Sequence, residues 1–130
     1  MTIWLGKIDP EHLSIDTIQK DGKALWKKVR HPKAMQFMGE MKKGEKMLVY
    51  HSNEKKIVGV VEILTNNPDP DHPRGRLVEV KFLKKFEEPL VKLIQVKESG
   101  KFKEFRLVRE PRLSIMDVPE EFLKYFKIKV

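Results

Sequence analysis

The sequence predicts an α+β fold, a mixed and mostly antiparallel barrel-like sheet with short helices packed at its rim. Apolar, β-branched stretches of strand length recur along the chain between turn residues, and about three segments have helical spacing. The chain has 130 residues, enough for one hydrophobic core and too few for two. We therefore expect a single domain over residues 1–130.

The first third of the chain predicts one strand and two helices. Residues 2–7 are apolar and form the strand. Residues 14–19 begin with a serine cap and space two isoleucines three apart, which predicts a short helix that stops before Gly22. Pro32 suits the first turn of a second helix, whose apolar side chains recur at three and four positions. We expect that helix to end at Gly44.

The middle of the chain predicts a hairpin, a long loop and a further strand. Residues 46–51 and 57–64 are the paired strands, joined by a polar turn. Residues 66–75 hold three prolines and a glycine, and we expect them to be the longest irregular segment. Residues 77–86 alternate apolar and charged side chains, as in a strand with one face in water.

The last third of the chain gives a less uniform pattern. Residues 89–96 fit either a short helix or a strand, and Gly100 ends them. Residues 105–109 (FRLVR) predict a strand, followed by the apolar segment 113–115. Residues 119–126 carry acids in the first turn and a late lysine, so they predict a closing helix.

The charge of the chain is strongly basic and unevenly distributed. The formal net charge is +8 and the pI is about 9.6, which suits a polyanionic partner, although a lysine-rich surface exposed to water explains the total equally well. Residues 20–33 carry six basic side chains and one acid around Trp26. Of the 27 basic residues 21 are lysines, and asparagine and glutamine are scarce, a balance typical of hyperthermophiles.

Several classes of protein are excluded by composition. The absence of cysteine excludes disulfides and thiolate zinc sites, and the four histidines lack metal-motif spacing. We therefore expect neither a metal nor a cofactor. No apolar run reaches the length of a bilayer span, and the residues after Met1 do not show the charged-then-apolar pattern of a leader, so we expect a cytoplasmic monomer with no membrane partner.

Catalysis has little support in the sequence. His51 and Ser52 are adjacent, but neighbours on a strand point to opposite faces, so their adjacency does not indicate a nucleophile and base. A glycine-rich phosphate loop is missing. We expect no catalytic residue and no enzyme; the competing interpretation is a small-ligand enzyme that depends on His51 or Asp69.

Two sets of residues suggest ligand binding instead. Trp26 among lysines is either a core residue, which the pattern alone favours, or a face on which a base stacks. Tyr50, His51, Ser52 and Asn53 bring a hydroxyl, an imidazole and an amide to one strand end, as the edge of a planar heterocycle requires. The alternative is a hairpin turn with local side-chain caps.

Four segments, in order, resemble one family. They are IWLGKIDP at 3–10, WKKVRHPKAMQFMGEMKKGEKMLVYHSN at 26–53, the stretch 57–69, and RLSIMDVPEEF at 112–122. They resemble the motifs YWLFKSEP, W-x-G-V-R-N with a later Y-H-S, G-I-x-G ending in Y-P-D, and R-L-S-V-x-P of the EVE domain, a member of the PUA-like group related to YTH domains. The resemblance covers nearly the whole chain.

The resemblance implies a PUA-like pseudo-barrel that binds nucleic acid without catalysis and takes a flipped, modified base, such as a cytosine derivative, into an aromatic pocket. On this view Trp26 stacks on the base. The other pocket residues would be Lys7, Val29, Tyr50, His51, Ser52, Asn53, Pro68, Asp69 and Ser114. The phosphate-binding residues would be Lys23, Lys27, Lys28, Arg30 and Lys33. A PUA-like RNA-binding module that ignores base modification is the alternative function.

The sequence departs from the family motifs at positions that bear on the ligand. Ile8 replaces the serine after the lysine, and His31 replaces the asparagine after Val-Arg. These two changes remove a hydroxyl and an amide that could read a base edge, so they affect the choice of ligand more than the fold. Lys28 also replaces a glycine, and Met35-Gln36 replaces Arg-Asn.

Overall fold

Six strands and five short helices make up the computed structural model, which describes residues 1–130. In chain order they are β1 (Ile3–Ile8), α1 (Ile15–Asp21), β2 (Lys23–Trp26), α2 (Pro32–Glu40), β3 (Lys46–His51), β4 (Lys56–Pro68), β5 (Arg76–Lys85), α3 (Leu93–Ser99), α4 (Arg106–Arg109), β6 (Ile115–Asp117) and α5 (Glu120–Tyr125). None of the helices is both long and apolar enough to cross a bilayer.

The strands form one sheet in the order β2-β5-β4-β3-β1-β6. Only β1 and β3 pair in parallel; the other four pairings are antiparallel. The sheet is not closed, but it is strongly curved. Three strands, β5, β4 and β3, separate β2 from β1 in the sheet, yet Trp26 of β2 contacts Gly6 of β1. The predicted mostly antiparallel, barrel-like sheet is therefore confirmed as an open six-stranded one.

Buried side chains of the central strands form the core. Leu5, Leu48 and Val61 are fully buried on neighbouring strands β1, β3 and β4. Helix α1 packs Ile18 into this core, and α5 packs Phe122 into it. Burial of this kind stabilises the fold by roughly 1.5–3 kcal/mol per large apolar side chain.

The first two helices begin as the sequence predicts. Ser14 caps α1 by accepting the Thr17 N–H at 3.1 Å, and Gly22 ends it with φ +80°. Pro32 is the first residue of α2. That helix ends at Glu40 because Met41 is already extended, so the expected end at Gly44 was four residues too late.

Three segments differ from expectation. Strand β2 was not predicted, because KALW is short and mixed in character and owes its conformation to pairing with β5. Residues 66–68, expected in the loop, extend β4 by pairing with residues 76–78. Residues 105–109 were wrongly predicted as a strand: they turn helically, and the Arg109 N–H donates to the Phe105 carbonyl at 2.9 Å. Residues 89–96, left ambiguous, contain the start of α3.

Candidate nucleic-acid interface

A cleft of about 780 Å³ opens between the end of β1 and the edge strand β2. We call it the β1–β2 cleft. It is lined by seven predicted site residues, namely Lys7, Trp26, Lys27, Lys28, Val29, Arg30 and Ser114. It is also lined by Ile8, whose replacement of the family serine was expected to affect the ligand, and by four residues that the sequence did not single out, namely Asp9, His12, Leu13 and Leu25. Volumes of this size hold a base or a similar planar molecule.

Trp26 forms the floor of the cleft. Its side chain is only 4% exposed, and its ring lies against the backbone of Gly6. Trp26 is therefore both a core residue and part of the cleft. The sequence alone presents a core residue and a stacking face as alternatives. Trp4, by contrast, lies wholly in the core and donates from Nε1 to Glu45 at 3.0 Å.

Lys7 places an ammonium group at the inner end of the cleft. Its Nζ donates to the Pro111 carbonyl at 3.0 Å and lies 5.5 Å from the ring centre of Tyr50, its partner in the parallel β1–β3 register. No carboxylate lies within 4.0 Å of it, and burial lowers the pKa of Lys7. Burial raises the pKa of Tyr50 to about 12, so the phenol stays neutral. Tyr50 itself does not line the cleft, so Lys7 is the group of this pair that offers the cleft a hydrogen-bond donor.

The rim of the cleft carries cations with few internal partners. Lys27 and Lys28 are exposed and form no ion pair. Arg30 contacts the buried Asp69 at 3.4 Å, and Asp69 also accepts the Asp71 N–H at 2.8 Å. Asp69 therefore stands behind the rim and holds Arg30 in place. Lysines without a carboxylate partner are free to contact phosphates.

Two of the predicted phosphate-binding residues do not line the cleft. Lys23 is exposed on the outer face of β2 and has no ion pair. Lys33 lies in α2 and binds Glu110 at 2.8 Å. The hydrogen bond from Lys33 lowers the pKa of Glu110. Lys23 is thus the freer of the two cations.

His51 lies outside the cleft and is fully engaged within the protein. Its Nε2 accepts the Ile15 N–H at 3.1 Å, so its Nδ1 carries the proton and donates to Glu54 at 2.7 Å. This hydrogen bond is the largest cause of a lowered Glu54 pKa. His51 consequently joins the end of β3 to the start of α1.

The remaining predicted pocket residues are also not brought into the cleft. Ser52 and Asn53 are exposed in the turn after β3, where the Ser52 N–H donates to the Ile8 carbonyl at 2.8 Å. Pro68 is exposed at the end of β4. No three histidine, aspartate or glutamate side chains are arranged to hold a metal ion.

The missed lining residues had weak sequence signals. Leu25 belongs to strand β2, which the sequence did not predict, so its place on the rim of the cleft could not be inferred. His12 and Leu13 follow β1 in a turn whose path depends on the backbone hydrogen bond from Leu13 to Asp9. Only the position of Lys7 in β1 could have directed attention to them.

The sequence matches the EVE domain over residues 2–127. The chain belongs to the EVE domain family. Two bacterial structures are similar to it, one from Agrobacterium tumefaciens (TM-score 0.89, 30% identity, 98% of this chain and 92% of the other) and one from Rhodopseudomonas palustris (TM-score 0.86, 31% identity, 96% and 90%). No curated protein matches the sequence significantly.

A human EVE-like structure shares the fold. Human THYN1, crystallised in complex with DNA that contains 5-methylcytosine, has a TM-score of 0.84 and 23% identity, and the match covers 100% of this chain and 99% of that one. At this identity the likeness establishes the common fold. The family and the PUA-like sheet suggested by the sequence motifs are confirmed.

Proposed function

We propose that this EVE domain binds nucleic acid and takes one modified base, of the 5-methylcytosine class, into the β1–β2 cleft. The observation that carries the proposal is the composition of the cleft: an indole floor, the Lys7 ammonium in its lining, and lysines without ion pairs on the rim. The human relative of the same fold, solved with 5-methylcytosine DNA, supports it.

Each group has a role that its chemistry suits. Lys27 and Lys28 contact phosphates and supply salt-dependent attraction. The base lies against Trp26, and Lys7, a donor without acceptor capacity, faces an acceptor on the base edge such as a ring nitrogen or carbonyl. Ser114 adds a hydroxyl, which can donate or accept.

We also propose that the domain acts by binding alone. His51, which the sequence offered as a candidate catalytic residue, has both ring nitrogens in hydrogen bonds inside the protein and lies outside the cleft. The Lys7 ammonium forms no ion pair, and its hydrogen bond goes to the Pro111 carbonyl. These arrangements favour a reader over a hydrolase.

The second candidate is an RNA-binding module without preference for modification. The small exposed fraction of Trp26 favours it, because an indole that is 4% exposed offers little ring surface to a base. Phosphate contacts from the rim lysines would then supply the affinity, and the cleft would contribute little.

Binding measured by fluorescence anisotropy separates these candidates. Single- and double-stranded DNA and RNA of one sequence, each with plain or modified cytosine or adenine at one position, are compared at fixed salt. A preference of tenfold, about 1.4 kcal/mol, for a modified base that disappears in Trp26→Ala supports the reader. Uniform, steeply salt-dependent binding that survives Trp26→Ala but weakens in Lys27→Ala with Lys28→Ala supports the second candidate.

A further inference from the structure

Leu25 is a large apolar side chain on the rim of the β1–β2 cleft. It is 44% exposed, and it directly precedes Trp26 in β2. Because neighbouring residues of a strand point to opposite faces, β2 turns Trp26 into the floor and Leu25 toward solvent. The pair therefore presents one apolar group inside the cleft and one at its mouth.

The position of Leu25 matters more than its exposure. Single exposed apolar side chains are ordinary on protein surfaces, and Ile94 on α3 is 56% exposed without lining the cleft. Leu25, however, stands between Lys23 and Lys27, two exposed cations without carboxylate partners. Cations that hold a phosphate backbone on both sides of Leu25 would bring the base stack against it.

We propose that Leu25 is a wedge that enters the base stack where a base has moved into the cleft. Taking a base out of a duplex leaves a gap between its neighbours, and an apolar side chain inserted there offsets part of the lost stacking. A flexible single strand presents no such gap to fill. The inference rests on the proposed function and specifies its ligand: a base within duplex DNA rather than in a single strand.

The test compares wild type and Leu25→Ala on DNA of one sequence with one 5-methylcytosine, as a single strand and as a duplex, with unmodified cytosine in parallel. We expect Leu25→Ala to weaken binding of the methylated duplex about tenfold, or about 1.4 kcal/mol, and binding of the single strand less than about twofold. Leu25→Met, which keeps an apolar side chain of similar size, should bind the duplex about as tightly as wild type. Ile94→Ala should match wild type on all these ligands.

The outcomes separate the wedge from the reader. Equal losses on duplex and single strand, or no loss on the duplex, overturn the wedge and leave the reader standing if wild type still prefers the methylated base. A wild type that prefers the methylated single strand to the duplex also overturns the wedge. A wild type with no preference for 5-methylcytosine in either form overturns the proposed function for this base, and the wedge with it.

Discussion

The indole of Trp26 lies directly against the backbone of Gly6. A Cβ at position 6 would come within 2.7 Å of Trp26 Cζ2 and within 2.7 Å of Met47 Sδ. Close approach, rather than a left-handed backbone, is what requires glycine here. Gly6 is therefore the residue that lets the edge strand β2 fold across β1 and form the floor of the cleft.

Gly6→Ala should lower both stability and base binding. The added methyl group displaces Trp26 and Met47, and overpacking of this kind costs about 1–3 kcal/mol of unfolding free energy. Because the indole must move, we expect the affinity for a cognate base to fall while phosphate contacts on the rim persist. Urea unfolding and anisotropy binding measure the two effects.

Gly39→Ala is the matched control for this substitution. Gly39 lies in α2, and a methyl group added there would meet no atom within 4 Å, so alanine should raise the unfolding free energy by roughly 0.5–1 kcal/mol. Binding should not change. A Gly6→Ala protein as stable as wild type and equal to it in binding would show that Trp26 is not fixed by Gly6.

His51→Ala should reduce stability without changing base preference. The substitution leaves the Ile15 N–H without its acceptor at the buried start of α1, which costs about 1–3 kcal/mol. Ser14→Ala removes a side-chain cap from the same helix, at a cost of about 1 kcal/mol, and serves for comparison. If folded His51→Ala lost the preference for a modified base, His51 would belong to the pocket after all.

Glu45 should make stability depend on acid pH. Its carboxylate accepts from Trp4 Nε1 at 3.0 Å, the Lys42 N–H at 2.7 Å and the Thr2 N–H at 3.2 Å. Burial alone would raise the pKa of Glu45, but these hydrogen bonds outweigh it and hold the pKa below its usual 4.5. The folded state therefore gains stability above the unfolded pKa, and loses it as the pH falls through the folded pKa.

Glu45→Gln isolates this contribution. At pH 7 we expect an unfolding free energy about 1–3 kcal/mol below wild type, because the amide has one acceptor oxygen where the carboxylate has two. The difference should begin to shrink as the pH falls below about 4.5, where Glu45 of the unfolded wild-type chain is protonated, and should go on shrinking down to the lower pKa of folded Glu45. Urea unfolding from about pH 7 to about pH 3 measures it, and a difference that stays constant would contradict this account.

Most of the sheet was predictable because apolar periodicity is a local signal. Strand β3 was predicted with its observed bounds from the run KMLVYH. Strand β2 was not, since its conformation comes from a non-local pairing, Lys23 with Lys81 through Trp26 with Val78. Residues 105–109 were wrongly predicted as a strand because Phe105 and Leu107, two positions apart, match the alternation of a strand. Both side chains can also be buried by a single helical turn, as the structure shows.

The site was predictable where its residues are consecutive. The run from Trp26 to Arg30 lines the cleft together, as its charge suggested. Tyr50 and His51 are equally consecutive but diverge, because alternation along β3 turns Tyr50 beneath Lys7 and His51 toward α1. Which of them lies near the cleft depends on the neighbouring strand and helix, and the pattern of β3 alone does not contain that information.

Lys28 is strained at a position that would suit glycine. Its φ is +60°, in the left-handed region that costs a residue with a Cβ roughly 1–2 kcal/mol. Lys28→Gly relieves this strain but adds roughly 0.5–1 kcal/mol of backbone entropy loss on folding. We therefore expect an unfolding free energy between that of wild type and about 1.5 kcal/mol above it.

The same substitution should weaken nucleic-acid binding, since Lys28 is an unpaired cation on the cleft rim. If it contacts one phosphate, the slope of log affinity against log salt should become shallower by about one. Lys55→Gly is the control: Lys55 has φ +54° in the turn after β3, outside the cleft, and its replacement removes the same charge and relieves the same conformation. Equal changes in slope for both variants would mean that only net charge matters. A change confined to Lys28→Gly would mean that the strained backbone at residue 28 places a cation against phosphate.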